Sequence, residues 1–350
     1  MLLHNAIELK RNLFRDVFEY REVATVGANS APVSVWMDPA GMDEIKKTSN
    51  HSSFLRDVAV GIAPPNPHQH NQNDQFSLVA YIQDRRLLNS TFMDDVRRQA
   101  RGEINVKFVG RIRQTAGTRN RPVSLGSSIS HFRGTFGTLG CVTRLGDGAL
   151  CLLSNNHILA LVDRARIGDQ IIQPGKTHFG RHPSDCVGTL LKTVPINIGG
   201  VLPNYVDCAL AIRLPNIDFD HSTIRANRNL RGISGIPVAT GLPVFKRGAA
   251  SDDTDGTVHA FDIDNLLVSM SASGNQTIAR FDNQIAISGT GDGAFSKPGD
   301  SGSLITDQDD RAVGLLFANS STGGGNGRGL TFANPIEQVF NALDCTIYLG

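Results

Sequence analysis

Apolar residues keep a helical spacing only at the start of the chain. Leu3, Ala6, Ile7, Leu13, Phe14, Val17 and Phe18 fall on one side of a 3.6-residue repeat, which predicts an amphipathic helix over 3–20. Period-two alternation dominates from there on. Residues 57–62 and 76–82 read as paired strands joined by a polar loop at 64–74, whereas 32–56 has a mixed pattern that defines no element. Ser90 is placed to cap a short helix running to Ala100, and 104–111 reads as a further strand. This makes a small α+β unit of 1–113, followed by a linker at 114–123 rich in Arg, Thr, Gly and Pro. In 124–350 strand follows strand, with turn signals at 146–148, 199–200 and 252–256, and 336–343 predicts a closing helix. The pattern is mostly β and has no internal repeat at sequence level.

Composition narrows the function classes. A chain of 350 residues is longer than one ordinary domain and can bury a sizeable core, so two or three domains are expected. A formal net charge of +1 gives no electrostatic argument for nucleic acid or an anionic membrane. Arg111, Arg113, Arg119 and Arg121 form a local basic run, but no aromatic residue interleaves it, and it reads as solvated linker. No uninterrupted apolar run approaches membrane-spanning length, and the first ten residues break into charge too early for a signal peptide. The five cysteines are an odd number, and Cys141, Cys151 and Cys208 sit in apolar strands. Buried thiols are expected rather than a disulfide framework, with a Cys141–Cys151 cross-strand pair left open. These features predict a cytoplasmic protein.

Three segments carry candidate chemistry. In the first, Lys297-Pro298-Gly299-Asp300-Ser301-Gly302-Ser303-Leu304, glycines flank a serine on a tight turn, so its hydroxyl is exposed and a substrate carbonyl can approach the backbone. A serine needs a base, and the base needs an orienting group. Cys151-Leu152-Leu153-Ser154-Asn155-Asn156-His157-Ile158-Leu159 supplies an imidazole at the end of an apolar strand. Asn204-Tyr205-Val206-Asp207-Cys208-Ala209-Leu210 supplies a carboxylate at the mouth of another, where burial is costly unless strong hydrogen bonds are accepted. His178 and His182 lie in a polar loop, and His221 and His259 among acidic residues, so none competes with His157.

Other patterns do not rise to sites. Ser251, Asp253, Asp255, Gly256 and Asp262 imitate a calcium loop, but its first and last ligands are replaced and helical flanks are missing. His68-Gln69-His70 has no cysteine partner and only Asp74 as a close carboxylate, and reads as solvated loop. Gly323-Gly324-Gly325-Asn326-Gly327 lacks the Lys-Ser/Thr of a phosphate loop and reads as a mobile connection between the last two strands.

With the order His157, Asp207, Ser301, the three segments resemble the catalytic motifs of chymotrypsin-fold (trypsin-like) serine peptidases. More narrowly, 153–160, Gln173-Pro174-Gly175 and 58–64 resemble bacterial trypsin-like peptidases related to the plant narrow-leaf proteins. The resemblance implies a mostly β fold in which a double β-barrel peptidase domain follows the small α+β unit. It implies a serine endopeptidase with Ser301 as nucleophile, His157 as base, Asp207 as orienting carboxylate and the backbone N–H groups of Gly299 and Ser301 as oxyanion hole. No metal or organic cofactor is called for, and the partners are protein or peptide substrates.

The same resemblance puts Phe295 at the base of the substrate pocket and the strand carrying Leu315 and Phe317 along its wall, which implies an apolar or small P1 residue or a filled pocket. Ile158 stands where secreted members carry a cysteine. No basic-residue–Ile-Val-Gly-Gly cleavage site precedes the first barrel, so Asp300 must find a partner other than a new N-terminus. The site is then expected to be permanently ordered, or switched by the N-terminal unit, self-association or an activating partner. The contrasting reading is a peptidase-fold binding or scaffold protein with little hydrolysis.

Overall fold

The computed structural model describes residues 1–18, 21–25, 33–37, 57–63, 76–110, 119–225, 228–272 and 275–350. The loop at 64–74 with His68, His70 and Asp74, the linker residues 114–118, and Arg111 and Arg113 lie outside the described residues.

The first helix spans Leu3–Asp16 and buries Ala6, Lys10, Leu13 and Phe14, which recur at three and four residues along one face. Lys10 is part of that face because it has anions to meet. Its Nζ lies 3.0 Å from Asp262 and 2.9 Å from Asp264. The strands Val58–Ala63 and Ser77–Ile82 pair antiparallel in the register Val58↔Ile82. Ser90 Oγ accepts the N–H of Met93 at 3.2 Å, capping the helix Thr91–Gln99. That helix is a crossover, and it returns the chain as Ile104–Phe108, parallel to Ser77–Ile82.

Two large β systems dominate the rest of the chain, beside a three-stranded sheet of Pro203–Asn204, Asn275–Phe281 and Leu266–Ala272 and two small strand pairs. Six strands close a ring in the order Pro243–Gly248, Leu304–Thr306, Ala312–Asn319, Leu330–Pro335, Gln284–Gly289 and Asp252–Asp264, the last pairing back to the first. Alternating inward residues fill this barrel with Val244, Val258, Ile285, Ile287, Ile305 and Val313. An eight-stranded sheet, including Cys141–Leu145, Leu150–Ser154, Ala209–Arg213 and Cys186–Thr193, curls into a half-barrel. Together they make the mostly β, chymotrypsin-like double barrel that the resemblance implies. Helix Ile336–Leu343 packs Ile336, Val339, Phe340 and Leu343 into the half-barrel core, and Cys345–Ile347 then joins that sheet as an edge strand.

Two features differ from the sequence expectation. The turn expected at 252–256 falls at Ala249–Ser251, and Asp252–Asp264 is one 13-residue strand. Gly256, Val258 and Ala260 point inward at period two, and this burial overrides the turn preference of the aspartates and glycine. The N-terminal strands also extend the closed barrel's sheet. Near Asp262, whose φ is 52°, Asp252–Asp264 bends and pairs Phe261↔Ile62 and Asp264↔Val60, giving nine strands ending at Ile104–Phe108.

All five cysteines are free thiols, and Cys141 pairs in register with Leu153 rather than Cys151. Burial pushes the Cys151 and Cys345 thiols up to about 11, away from thiolate chemistry. No helix among the described residues is long and apolar enough to cross a membrane.

Candidate active site

The half-barrel brings His157 and Asp207 together by register. Strands Leu150–Ser154 and Ala209–Arg213 are antiparallel with Ser154 opposite Ala209, so the end of one strand meets the start of the other. His157 follows on the one-turn helix Asn156–Leu159. Its Nδ1 bonds Asp207 Oδ2, and its backbone N–H donates to Oδ1 at 3.1 Å. A carboxylate only accepts, so Nδ1 carries the proton and the lone pair is left on Nε2. That Nε2 is buried and has no hydrogen-bond partner among the described residues.

Asp207 is fully buried, and neighbours hold its backbone from both barrels. Asn155 Nδ2 donates to its carbonyl at 2.7 Å, while its N–H donates to Asn334 Oδ1, 3.0 Å away on the closed barrel. Asn334 Nδ2 donates in turn to Gln284 Oε1 at 2.7 Å.

Ser301 arrives from the turn before Leu304–Thr306. The loop is stitched to the half-barrel through Thr138, whose N–H donates to the Ser301 carbonyl at 2.7 Å and whose hydroxyl donates to the Gly299 carbonyl at 2.6 Å. Gly299 has a φ of 108° and Gly302 of 93°, backbone that favours glycine. A Cβ at Gly302 would also collide with the Thr138 carbonyl and Ser154 Oγ, so the loop seats only because residue 302 is glycine. Gly137 packs between the side chain of Ile158, the neighbour of His157, and the Ser301 carbonyl, and a Cβ there would collide with both. Ser301 Oγ is turned toward the Phe317 carbonyl, 3.4 Å away.

Asp300 has an internal partner. Its Oδ2 lies 3.1 Å from Lys246 Nζ with both side chains fully buried, and it accepts Ser251 Oγ–H at 2.6 Å and the Lys297 N–H at 2.9 Å. Oδ1 accepts the N–H groups of Ala250 and Ser251 at 3.1 and 3.2 Å. Burial would raise the Asp300 pKa, but Lys246 and these donors together hold it below its ordinary value. Burial pushes the Lys246 ammonium below its own ordinary range, against the pull of Asp300.

The residues expected to shape the substrate pocket are buried side chains. Phe295 is 1 % exposed within the closed barrel's core, Leu315 packs into the half-barrel cluster, and Phe317 stacks on Phe281 at 4.7 Å. A groove of about 550 Å³ next to the serine loop is lined instead by Ser296, Lys297, Asn319, Ser320, Ser321 and Arg328, with Ala294 and Pro298.

Sequence reading missed Thr138, Asn155, Lys246 and Asn334. Lys246 did leave a signal, since it shares the inward side of Pro243–Gly248 with Val244 and Gly248. It also missed His131, which is fully buried and lies 3.0 Å from Asp169. The Arg133 N–H donates to His131 Nδ1 at 3.0 Å, so both ring nitrogens are engaged and neither is left to act as a base. Among the other histidines, His178 stacks on Phe136, His182 on Phe132, and His259 Nε2 lies 2.8 Å from Lys107 Nζ. Residues 253–262, the calcium-loop look-alike, run along a strand, with Asp262 committed to Lys10. No group of three or more metal-ligating side chains occurs among the described residues.

No family model and no curated protein matches the sequence. The structure is similar to Thermobifida fusca protease A (16 % identity, TM-score 0.44, 65 % of this chain and 99 % of that one). It is similar to a Nocardiopsis protease (17 %, 0.44, 64 % and 98 %) and to a Cellulomonas bogoriensis chymotrypsin (15 %, 0.43, 65 % and 99 %).

Proposed function

We propose that this chain is a serine endopeptidase. Ser301 attacks the peptide carbonyl, His157 Nε2 takes its proton and returns it to the leaving amine, and Asp207 holds the Nδ1–H tautomer while remaining ionised. The backbone N–H groups of Gly299 and Ser301 are the oxyanion donors; losing such a donor typically costs about 3 kcal/mol of transition-state stabilisation. The observation that carries this reading is the His157 ring, with Nδ1 bonded to a buried carboxylate and Nε2 buried without a hydrogen-bond partner among the described residues. For this step Ser301 Oγ must leave the Phe317 carbonyl and turn toward Nε2 by rotation about χ1.

The internal Lys246–Asp300 pair supports an enzyme whose serine loop is ordered without a newly cut N-terminus. The cytoplasmic setting, the bacterial origin, the closer kinship to narrow-leaf-related peptidases and a role for self-association or an activating partner belong to the same proposal. They rest on the sequence.

A fluorophosphonate probe tests it. The full chain is labelled covalently, and Ser301→Ala and His157→Ala lose the label. Absence of labelling in the folded wild-type chain overturns the proposal in favour of a peptidase-fold binding protein.

A further inference from the structure

Resting on the peptidase reading, we infer that the groove beside Ser301 selects a carboxylate side chain, Glu or Asp, on the acyl side of the scissile bond. The polar lining comes from two segments. Ser296 and Lys297 precede the serine by five and four residues, and Asn319, Ser320, Ser321 and Arg328 come from the strand end and loop that follow Phe317. Since Ser301 Oγ touches the Phe317 carbonyl, a side chain entering from the reacting carbonyl meets Asn319 two residues further along that strand.

The charge in this groove has one sign. Lys297 and Arg328 both line it, and no carboxylate does. Both are exposed, and neither forms an ion pair with an acidic side chain among the described residues. Neither of the acidic residues closest in sequence lines the groove. Asp300 is committed to Lys246, and Asp292 sits outside the lining on the neighbouring turn. A Lys or Arg substrate side chain would therefore meet two like charges and no counter-ion. An aromatic or aliphatic one would find only Ala294 and Pro298 as apolar lining.

The groove is also held in shape. Asn326 Nδ2 donates to the carbonyls of Gly289, Gly291 and Gly293 at 3.2, 2.9 and 2.8 Å, while its Oδ1 accepts the N–H of Arg328 at 3.0 Å. Asn319 Nδ2 donates to the Ser296 carbonyl at 3.3 Å, tying the two walls together. The Ser296 hydroxyl is engaged with Thr331 Oγ1 at 2.6 Å, and Leu330 N–H donates to Ser320 Oγ at 2.8 Å. A guanidinium on a pinned loop, with an ammonium near the serine, offers charge-assisted hydrogen bonds to a planar carboxylate.

The experiment uses the full chain and fluorogenic peptides that differ only at P1, as Glu, Asp, Gln, Phe or Lys, beside fluorophosphonate labelling of the same preparation. Glu or Asp is expected to exceed Gln in kcat/KM by about tenfold or more, with the ratio shrinking as salt screens the charges. Arg328→Glu and, separately, Lys297→Glu are expected to move the preference away from acid and toward Lys. Labelling together with best cleavage after Phe or Lys overturns the inference and leaves the peptidase reading standing. Neither labelling nor cleavage overturns both.

Discussion

Lys246 and Asp300 form an ion pair 3.1 Å long with no exposed surface on either side chain, directly behind the nucleophile turn. Lys246 lies on a strand that pairs with Leu304–Thr306, the strand Ser301 leads into, so the cation and the turn it anchors are fixed by the same ladder. Removing one partner of such a pair leaves the other buried and uncompensated, at a cost of about 3–5 kcal/mol. Lys246→Met is therefore expected to lower the denaturant midpoint and to weaken fluorophosphonate labelling in the protein that remains folded. Adding Asp300→Asn to Lys246→Met should recover part of the stability, because it removes the stranded charge; no recovery would mean that the pair does not act as a unit.

Asp207→Asn keeps the side-chain shape but reverses the tautomer constraint on His157, because an amide N–H can face Nδ1 and force the proton onto Nε2. Peptide hydrolysis is expected to fall by about 10⁴, as when a triad aspartate is replaced in this way, with thermal stability changed far less. A drop below tenfold would remove Asp207 from the catalytic machinery.

Lys10 on the first helix faces Asp262 and Asp264 at the point where the barrel strand leaves the ring. Lys10→Met leaves the largely buried Asp264 and the part-exposed Asp262 without their cation, and a lower midpoint in chemical denaturation is expected, the Asp262 share being reduced by solvent screening. The N-terminal strands bury Val58, Val60, Leu78 and Ala80 with the helices. A chain beginning at Val123 should accordingly be less stable and less soluble than the full chain; equal stability would show that the barrel does not need them.

His259 reports on the contact between Ile104–Phe108 and the barrel. Burial, reinforced by the Lys107 ammonium, pushes its pKa down to about 4 from an ordinary 6.5. The unfolded chain then binds a proton that the folded chain refuses between these values, so this histidine lowers stability as pH falls from about 6.5 to 4. His259→Gln should flatten the pH dependence of the urea midpoint across that window relative to wild type. An unchanged slope would show that His259 takes up its proton in the folded protein.

Much of this architecture is legible in the sequence because alternation and burial agree. The first helix, the 57–62 and 76–82 pair, the Ser90 cap and the closing helix follow from periodicity and local chemistry, and the structure has them as Leu3–Asp16, Val58–Ala63 with Ser77–Ile82, Thr91–Gln99 and Ile336–Leu343. The segments of His157 and Asp207 are brought together by a strand pairing that residue types do not encode locally. Sequence cannot reveal that Asp207 hangs from Asn334, 127 positions away, or that Lys246 pairs with Asp300 from the neighbouring strand. Phe295 illustrates the converse. Its position six residues before the serine suggests the pocket, but its ring is large and apolar and is taken by the barrel core, leaving the groove to smaller and charged neighbours.

The nine-stranded sheet has a consequence for proteolysis of the chain itself. The strands Val58–Ala63, Ser77–Ile82 and Ile104–Phe108 are held to the closed barrel by ladder hydrogen bonds and a shared apolar layer, independently of the peptide bonds joining Gly110 to Arg119. A nick in that connection would leave two polypeptides migrating as one particle, separable only by denaturation. The N-terminal part would stay behind as a bound subunit, the opposite of a leader that departs when cut.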